Sequence, residues 1–132
     1  MRAITVVAAL IVKNGRILVC QRRGGPFALK WEFPGGKVEA GEALQAALFR
    51  ELKEELDIEV SAAKEIFRHV HRYGDDSAVD LIFFRVDGYA GVMRNRIFED
   101  IRWAEAKELR KFDFLDGDLP LLDKIAAEGL PE

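Results

Sequence analysis

One amphipathic helix constrains the fold of this chain more than any other feature. Leucines recur at every fourth position between residues 42 and 56, separated largely by alanines and other good helix formers. Side chains at that spacing form a stripe along one face, which predicts a helix over residues 42–56 that packs on a core. The stripe consists of Leu44, Leu48, Leu52 and Leu56. We expect the helix to end at Asp57.

The same helix carries three carboxylates on one face. Glu51, Glu54 and Glu55 stand at i, i+3 and i+4, where like charges repel by roughly a few tenths of a kcal/mol per pair. A cluster that costs helix stability points to a compensating cation. Oxygen ligands alone favour a hard ion, Mg²⁺ or Mn²⁺. The alternative interpretation is a solvated acidic face.

Strand patterns surround this helix. Asn14-Gly15 lies between two β-branched, apolar-rich runs, at residues 3–12 and 17–21, and predicts a tight hairpin turn. Further strands are expected at 59–70, 79–86 and 101–103, with a polar loop at 72–77. A last helix is expected to start after Asp118 and to run to about residue 127. This order predicts an α/β (α+β) fold, with a mixed sheet covered by helices on its faces.

Length and composition narrow the classes of protein. A chain of 132 residues with 49% hydrophobic residues is most simply one domain, spanning residues 1–132. A net charge of −3 gives no global basic field for a nucleic-acid polymer or an anionic membrane. No apolar run reaches the roughly 20 residues of a transmembrane helix. The single cysteine, Cys20, excludes an intramolecular disulfide, so we expect a cytoplasmic protein.

The sequence around the helix resembles the signature of the Nudix hydrolases. The matching positions are Gly36, Glu42, Arg50, Glu51, Leu52, Glu54, Glu55 and Ile58, at the spacing of that signature. One position departs, because Asp57 stands where the family usually has glycine. A residue just past a helix is often left-handed, and Asp tolerates that conformation at a cost of about 1 kcal/mol. The resemblance implies a Nudix-like α/β/α sandwich.

Segments outside this signature are similar to the MutT-type branch of the family. They are Gln21-Arg22-Arg23, the run from Trp31 to Lys37 and the run from Phe114 to Pro120. The resemblance implies Mg²⁺-dependent hydrolysis of a nucleoside triphosphate, of the 8-oxo-dGTP, CTP or dCTP type, to the monophosphate and pyrophosphate. Mn²⁺ is a possible substitute, and a monomer or homodimer is expected. Two alternatives stay open: cleavage of another nucleoside diphosphate derivative such as ADP-ribose, and nucleotide binding without cleavage.

The resemblance also assigns the metal ligands and the catalytic groups. It implies that Glu51, Glu54 and Glu55 hold the metal, with the Gly36 carbonyl as a further ligand or simply part of a turn. Glu51 is the first candidate for accepting a proton from water. Arg50 is expected to hold the carboxylates in place, the alternative being an ordinary surface ion pair.

A fourth acidic ligand is less well defined. Some MutT-type enzymes carry a glutamate six residues before a strand tryptophan, and that position is Ile97 in this chain. Glu99 is close in sequence and is the candidate substitute. Its alternative role is a charged residue at a strand edge.

Six residues are candidates for substrate binding. Arg23, ahead of its neighbour Arg22, is expected at the phosphates or ribose, and Lys37 at the phosphates, unless these side chains are merely solvated. Phe33 is expected to stack on the base, unless it belongs to the core. Asp118 is expected either to accept hydrogen bonds from an amino group of the base or only to cap the last helix. Asp76 is a weaker candidate for the same pocket.

Overall fold

A computed structural model describes residues 2–131. The strands are β1 (Arg2–Leu10), β2 (Val12–Lys13), β3 (Arg16–Gln21), β4 (Trp31–Glu32), β5 (Gly35–Lys37), β6 (Glu59–Tyr73), β7 (Ser77–Ala90) and β8 (Asp100–Ala104). The helices are α1 (Leu44–Leu56), α2 (Leu119–Glu128) and two 3₁₀ helices, Ala106–Lys111 and Asp116–Asp118. None of the helices within residues 2–131 has the length and apolar character needed to cross a bilayer.

A mixed four-stranded sheet forms the centre of the fold, in the order β5-β1-β7-β6. β1 and β7 run parallel, while β5 and β6 pair antiparallel with their neighbours. Successive strand residues point to opposite faces. Val7 and Ala9 therefore pack towards α1, whereas Ala8 and Leu10 pack towards α2. Two apolar clusters on the two faces confirm the α/β/α sandwich.

A second, antiparallel sheet of β2, β3, β4 and β8 was not predicted as a separate unit. The apolar run 3–12 has no break in its composition, yet regular pairing stops at Leu10 and the chain enters the second sheet at Val12. The predicted hairpin turn is present, since Asn14 has φ 53° and Gly15 has φ 75°. The turn directs β3 back along β2 and places Cys20 in the core.

Strands β6 and β7 extend further towards their connecting turn than the polar residues at 72–77 suggest. Residues 72–77 were predicted to be a loop, but Arg72 pairs with Ala78 and Tyr73 with Ser77, which leaves a turn over residues 74–76. Polar side chains are compatible with strand here because β6 is an edge strand and Arg72, Tyr73 and Ser77 are exposed.

Helix α1 begins two residues later than predicted, at Leu44. Glu42 lies in the preceding loop, where its carboxylate accepts a hydrogen bond from the backbone N–H of Glu39 at 3.1 Å. At the other end Asp57 has φ 57°, and its N–H bonds to the carbonyl of Lys53 at 3.1 Å. The expected left-handed residue is therefore present without glycine. Lys53, 3.2 Å from the Asp57 carboxylate, lowers the pKa of that group.

Candidate active site

A cavity of about 610 Å³ opens between the two sheets and the start of α2. One part of its wall is formed by the Gly35–Lys37 strand and Glu55 of α1. Another part is formed by Glu32, Phe33 and Asp118. Glu55 of the acidic helix and the segments similar to MutT-type proteins therefore meet in one cavity, whereas Glu51 and Glu54 are not among its lining residues.

Two glycines allow the backbone to pass between β1 and α1. A Cβ on Gly35 would lie 1.9 Å from the carbonyl oxygen of Val7, and one on Gly36 would lie 2.5 Å from Oε2 of Glu51. The contact at Gly35 is with backbone, so that position requires glycine, whereas a Cβ at Gly36 would displace the Glu51 carboxylate. Because the backbone of β5 runs close to α1, the N–H of Gly35 can also donate to Oε1 of Glu55 at 3.1 Å.

Arg50 holds the carboxylates around α1 with a set of charge-assisted hydrogen bonds. Its Nε and Nη2 donate to the two carboxylate oxygens of Glu42 at 2.8 and 2.9 Å, a bidentate pair. Nη1 donates to Oε1 of Glu51 at 2.8 Å, and Nη2 also donates to the carbonyl of Lys37 at 3.0 Å. This pairing lowers the pKa of Glu42 to about 2. The geometry favours the expected positioning role over an isolated surface ion pair.

Glu55 shows that negative charge accumulates beside the glycines. Its side chain is 8% exposed, and burial, followed by the charges of Glu51 and Glu32, raises its pKa to about 9. Carboxylate oxygens in this number are the donor set that hard divalent cations prefer. A cation there would reverse the shift, because it stabilises the ionised form of each carboxyl.

The donor chemistry fits such an ion, but the side chains do not yet converge on a common point. Across residues 2–131, no three His, Cys, Asp or Glu side chains adopt a geometry that would hold a metal. Glu54 is largely exposed and lies 3.6 Å from Nη1 of Arg50, while Glu55 points at the N–H of Gly35. Glu51, Glu54 and Glu55 could hold one ion together only with other side-chain conformations.

Glu32, which is half-buried, and Asp118, which is buried, add two further carboxyls to the cavity, together with Arg22. Nη1 of Arg22 donates to Oε1 of Glu32 at 3.0 Å. Burial raises the pKa of Glu32, and the pairing with Arg22 opposes that shift. Asp118 is 5% exposed, and burial, followed by the charge of Glu32, raises its pKa well above the usual value. The cavity therefore presents carboxyl groups to any ligand at this end.

The capping role expected for Asp118 is not observed. Asp118 is the residue before α2, but its side chain makes no capping hydrogen bond. The residue closes the 3₁₀ helix Asp116–Asp118 in a helical conformation, with φ −88° and ψ −13°, instead of the extended conformation typical of a cap. Its side chain lines the cavity instead.

The other candidates divide between core, cavity rim and solvent. Phe33 is 3% exposed and packs against Phe114 and Phe83, with ring centroids 5.2 and 6.4 Å away, although it also borders the cavity. Lys37 is exposed and lines the cavity. Asp76 lies in the exposed β6–β7 turn and is not among the lining residues, so the structure does not bring it to the pocket.

Two of the candidates, Arg23 and Glu99, lie next to each other. Arg23 lines the cavity, and its Nη2 donates to the carbonyl of Phe98 at 2.9 Å. Its Nε lies 3.7 Å from Oε1 of Glu99. Glu99 is exposed and is not a lining residue, whereas Ile97 is. An apolar side chain thus occupies the wall where a fourth acidic ligand was considered.

Sequence reasoning missed Glu32 as a residue of this site. Glu32 lies between Trp31 and Phe33, which are both buried. In the sequence, a charged residue between two aromatic residues was the available signal for a functional role. Arg22 was considered but ranked behind Arg23. The structure places both arginines on the cavity, with Arg22 paired to Glu32.

Comparison with known proteins shows the family of this chain. A profile of the NUDIX domain matches residues 1–125. The chain is 34% identical over 128 residues to CTP pyrophosphohydrolase of Escherichia coli, covering 96% of this chain and 94% of that protein. It is 33% identical over 130 residues to 8-oxo-dGTP diphosphatase of Haemophilus influenzae, covering 96% and 95%. The solution structure of the E. coli ORF135 protein superposes with a TM-score of 0.85 at 33% identity, covering 96% of this chain and 91% of the other.

The fold is an α/β/α sandwich, and the family profile together with relatives named as a pyrophosphohydrolase and a diphosphatase makes this protein a hydrolase. The chain belongs to the Nudix family, in its MutT-type branch.

Proposed function

We propose that this protein is a Mg²⁺-dependent pyrophosphohydrolase that converts a nucleoside triphosphate to the monophosphate and pyrophosphate. One observation carries the proposal: a single cavity joins Glu55 of α1 and the Gly35–Lys37 strand to Glu32 and to the buried carboxyl of Asp118. The relatives named as CTP pyrophosphohydrolase and 8-oxo-dGTP diphosphatase support it. A cytoplasmic location is part of the proposal and suits the buried, unpaired Cys20.

The carboxylates of Glu51, Glu54 and Glu55, with the carbonyl of Gly36, would hold the metal. When bound, Mg²⁺ neutralises phosphate charge and lowers the pKa of water. Glu51 accepts the proton of the attacking water, whose oxygen bonds to the β-phosphorus. The bond between that phosphorus and the oxygen bridging to the α-phosphorus breaks, and the monophosphate leaves with that oxygen. Arg50 orients Glu51, so it is a positioning residue.

The other end of the cavity is proposed to read the base. Ionised Glu32 accepts hydrogen bonds, which suits an amino group such as N4 of cytosine or the N1–H and N2 edge of a guanine. Burial favours the protonated form of Asp118, and a protonated carboxyl both donates and accepts. Arg23 and Lys37 lie on the rim and are proposed to contact the phosphates.

A nucleotide panel tests the reaction. We expect release of pyrophosphate and monophosphate from at least one of CTP, dCTP and 8-oxo-dGTP in the presence of Mg²⁺, and loss of turnover with EDTA. ADP-ribose belongs in the panel as the substrate of another shape. Absence of turnover with every member would overturn the proposal.

A second measurement tests base reading. Asp118→Asn removes a titratable carboxyl with little change in volume, so the ratio of kcat/KM between a cytosine and an 8-oxoguanine triphosphate should change by about 10-fold. The control is Asp116→Asn, an exposed carboxylate in the same 3₁₀ helix that does not line the cavity. An unchanged ratio in Asp118→Asn would remove this residue from recognition.

A further inference from the structure

The cavity contains aromatic rings, but the ring predicted to stack on a base is not available for it. Phe33 is 3% exposed and packs against two other phenylalanines. Stacking needs an open aromatic face at a distance of a few ångströms, and a buried ring offers at most an edge. A stacking partner for a base must therefore be an aromatic ring with an exposed face on the cavity wall.

Two aromatic side chains on the cavity rim are exposed, Phe27 at 54% and Tyr73 at 42%. The ring of Tyr73 is engaged by His71, with centroids 4.5 Å apart in an edge-to-face arrangement. Phe27 has no aromatic or cationic partner on its ring among residues 2–131. A large apolar side chain exposed to water at the mouth of a cavity gains the most from covering by a flat ligand.

The backbone at Phe27 and Leu29 has an unfavourable conformation. Phe27 has φ 66° and Leu29 has φ 69°, a left-handed region that bulky L residues rarely adopt. The loop is fixed by hydrogen bonds from Leu29 N–H to the Arg22 carbonyl at 2.8 Å and from Lys30 N–H to the Phe27 carbonyl at 3.1 Å. Backbone strain of this kind is concentrated at functional sites.

The anchor of the loop belongs to the cavity itself. The carbonyl of Arg22 accepts the loop hydrogen bond, while its guanidinium pairs with Glu32 at the carboxyl end of the cavity. The loop that carries Phe27 is therefore linked, through Leu29 and Arg22, to Glu32, which is proposed to read the base.

We propose that Phe27 stacks on the base of the bound nucleotide and sets its affinity. The inference rests on the proposed function, because it takes the ligand to be a nucleotide. The ligand group it assigns to Phe27 is the planar heterocycle, not the phosphates. Phe33 keeps a core role.

A matched pair of variants tests the assignment. Phe27→Gly and Leu29→Gly each remove a large exposed side chain from a left-handed position in the same loop, and only Phe27 lines the cavity. We expect Phe27→Gly to raise KM and the dissociation constant of the nucleoside monophosphate, measured by calorimetry, by about 10-fold, with kcat within about twofold. Leu29→Gly should leave both constants unchanged, and Phe27→Trp should restore affinity.

A probe without a base separates stacking from general disturbance of the site. Inhibition by inorganic tripolyphosphate should be equal in wild type and Phe27→Gly, because the probe has no ring to stack. Equal weakening of tripolyphosphate and nucleotide, or equal effects of Phe27→Gly and Leu29→Gly, would overturn the inference.

The inference and the proposed function fail in different ways. Unchanged monophosphate binding in Phe27→Gly, with normal turnover by the wild type, would overturn the stacking role alone. Monophosphate binding that depends on Phe27, without turnover of any triphosphate by the wild type, would support the stacking role and overturn the hydrolase. Thermal melting of both glycine variants confirms that each one is folded.

Discussion

The two ends of the cavity are built in different ways. The acidic end draws its carboxylates from one short segment, α1, and fixes them through Arg50 and two glycines. The carboxyl end that holds Glu32 and Asp118 is assembled from a loop, a two-residue strand and a 3₁₀ helix that are far apart in the chain. One end is a local motif, whereas the other depends on how the whole chain packs.

This difference has consequences for each end. Local spacing on a helix fixes the relative positions of Glu51, Glu54 and Glu55, so the reaction can persist while the surrounding surface changes. The carboxyl end is sensitive to loop length and packing, which vary more freely than a helix does. Substrate choice is therefore the property expected to differ most among similar chains.

The largest expected effect comes from removing a carboxylate of the acidic end. Glu54→Gln should lower kcat by about 10²–10³-fold if this residue holds the metal, because single electrostatic groups contribute on that order. Glu59→Gln, an exposed carboxylate outside α1, is the matched control. Steady-state kinetics at saturating Mg²⁺ measures both variants. A normal rate in Glu54→Gln would show that the acidic end does not act as one unit.

The next effect tests the glycine turn without changing any charge. The Cβ of Gly36→Ala would meet the Glu51 carboxylate, so the carboxylate has to move or the strand has to shift. We expect a loss of about 10²-fold in kcat/KM, since a displacement near 1 Å has that effect on a reacting group. Gly24→Ala is the control, because a Cβ there meets no atom within 4 Å. Equal activities of these two variants would contradict the role of close approach.

A smaller effect is expected from Arg50→Lys, which retains the charge. Lysine cannot reproduce the bidentate pair with Glu42 together with the bond to Glu51. We expect kcat to fall by about 10-fold and the Mg²⁺ concentration for half-maximal rate to rise, as is typical of groups that orient metal ligands. Titration with Mg²⁺ measures the second value. A fall in rate with an unchanged Mg²⁺ requirement would place Arg50 outside the metal site.

The two ends of the cavity could not be predicted equally well from the sequence. The helix, its end at Asp57, the hairpin turn at Asn14-Gly15 and the sandwich were predicted from periodicity, turn chemistry and resemblance, and the structure confirms them. These features depend on neighbours within a few residues. The break between β1 and β2 was missed because both strands continue one apolar run.

The carboxyl end of the cavity was harder to predict because the role of each residue there depends on whether its side chain is buried or exposed. Phe33 and Phe27 are the same residue type, and only packing shows that one ring is buried and the other open. Glu32 becomes a cavity residue through its pairing with Arg22, ten positions away. Asp76 and Glu99 are acidic residues near the expected positions in sequence, yet their side chains stay outside the cavity.

The smallest expected effect concerns the stability of the carboxyl end as a function of pH. Burial raises the pKa of Asp118 in the folded protein above the value of about 4 in the unfolded chain. Between these two values the folded state binds more protons, so Asp118 makes the protein less stable as pH rises through that window. Asp118→Asn removes this dependence. The Tm of the variant minus that of the wild type should therefore be larger at pH 8 than at pH 4.5. Thermal melting at both pH values measures this difference, with Asp116→Asn as the exposed control. A constant difference between Asp118→Asn and wild type would show that solvent reaches this carboxyl and that burial does not set its pKa.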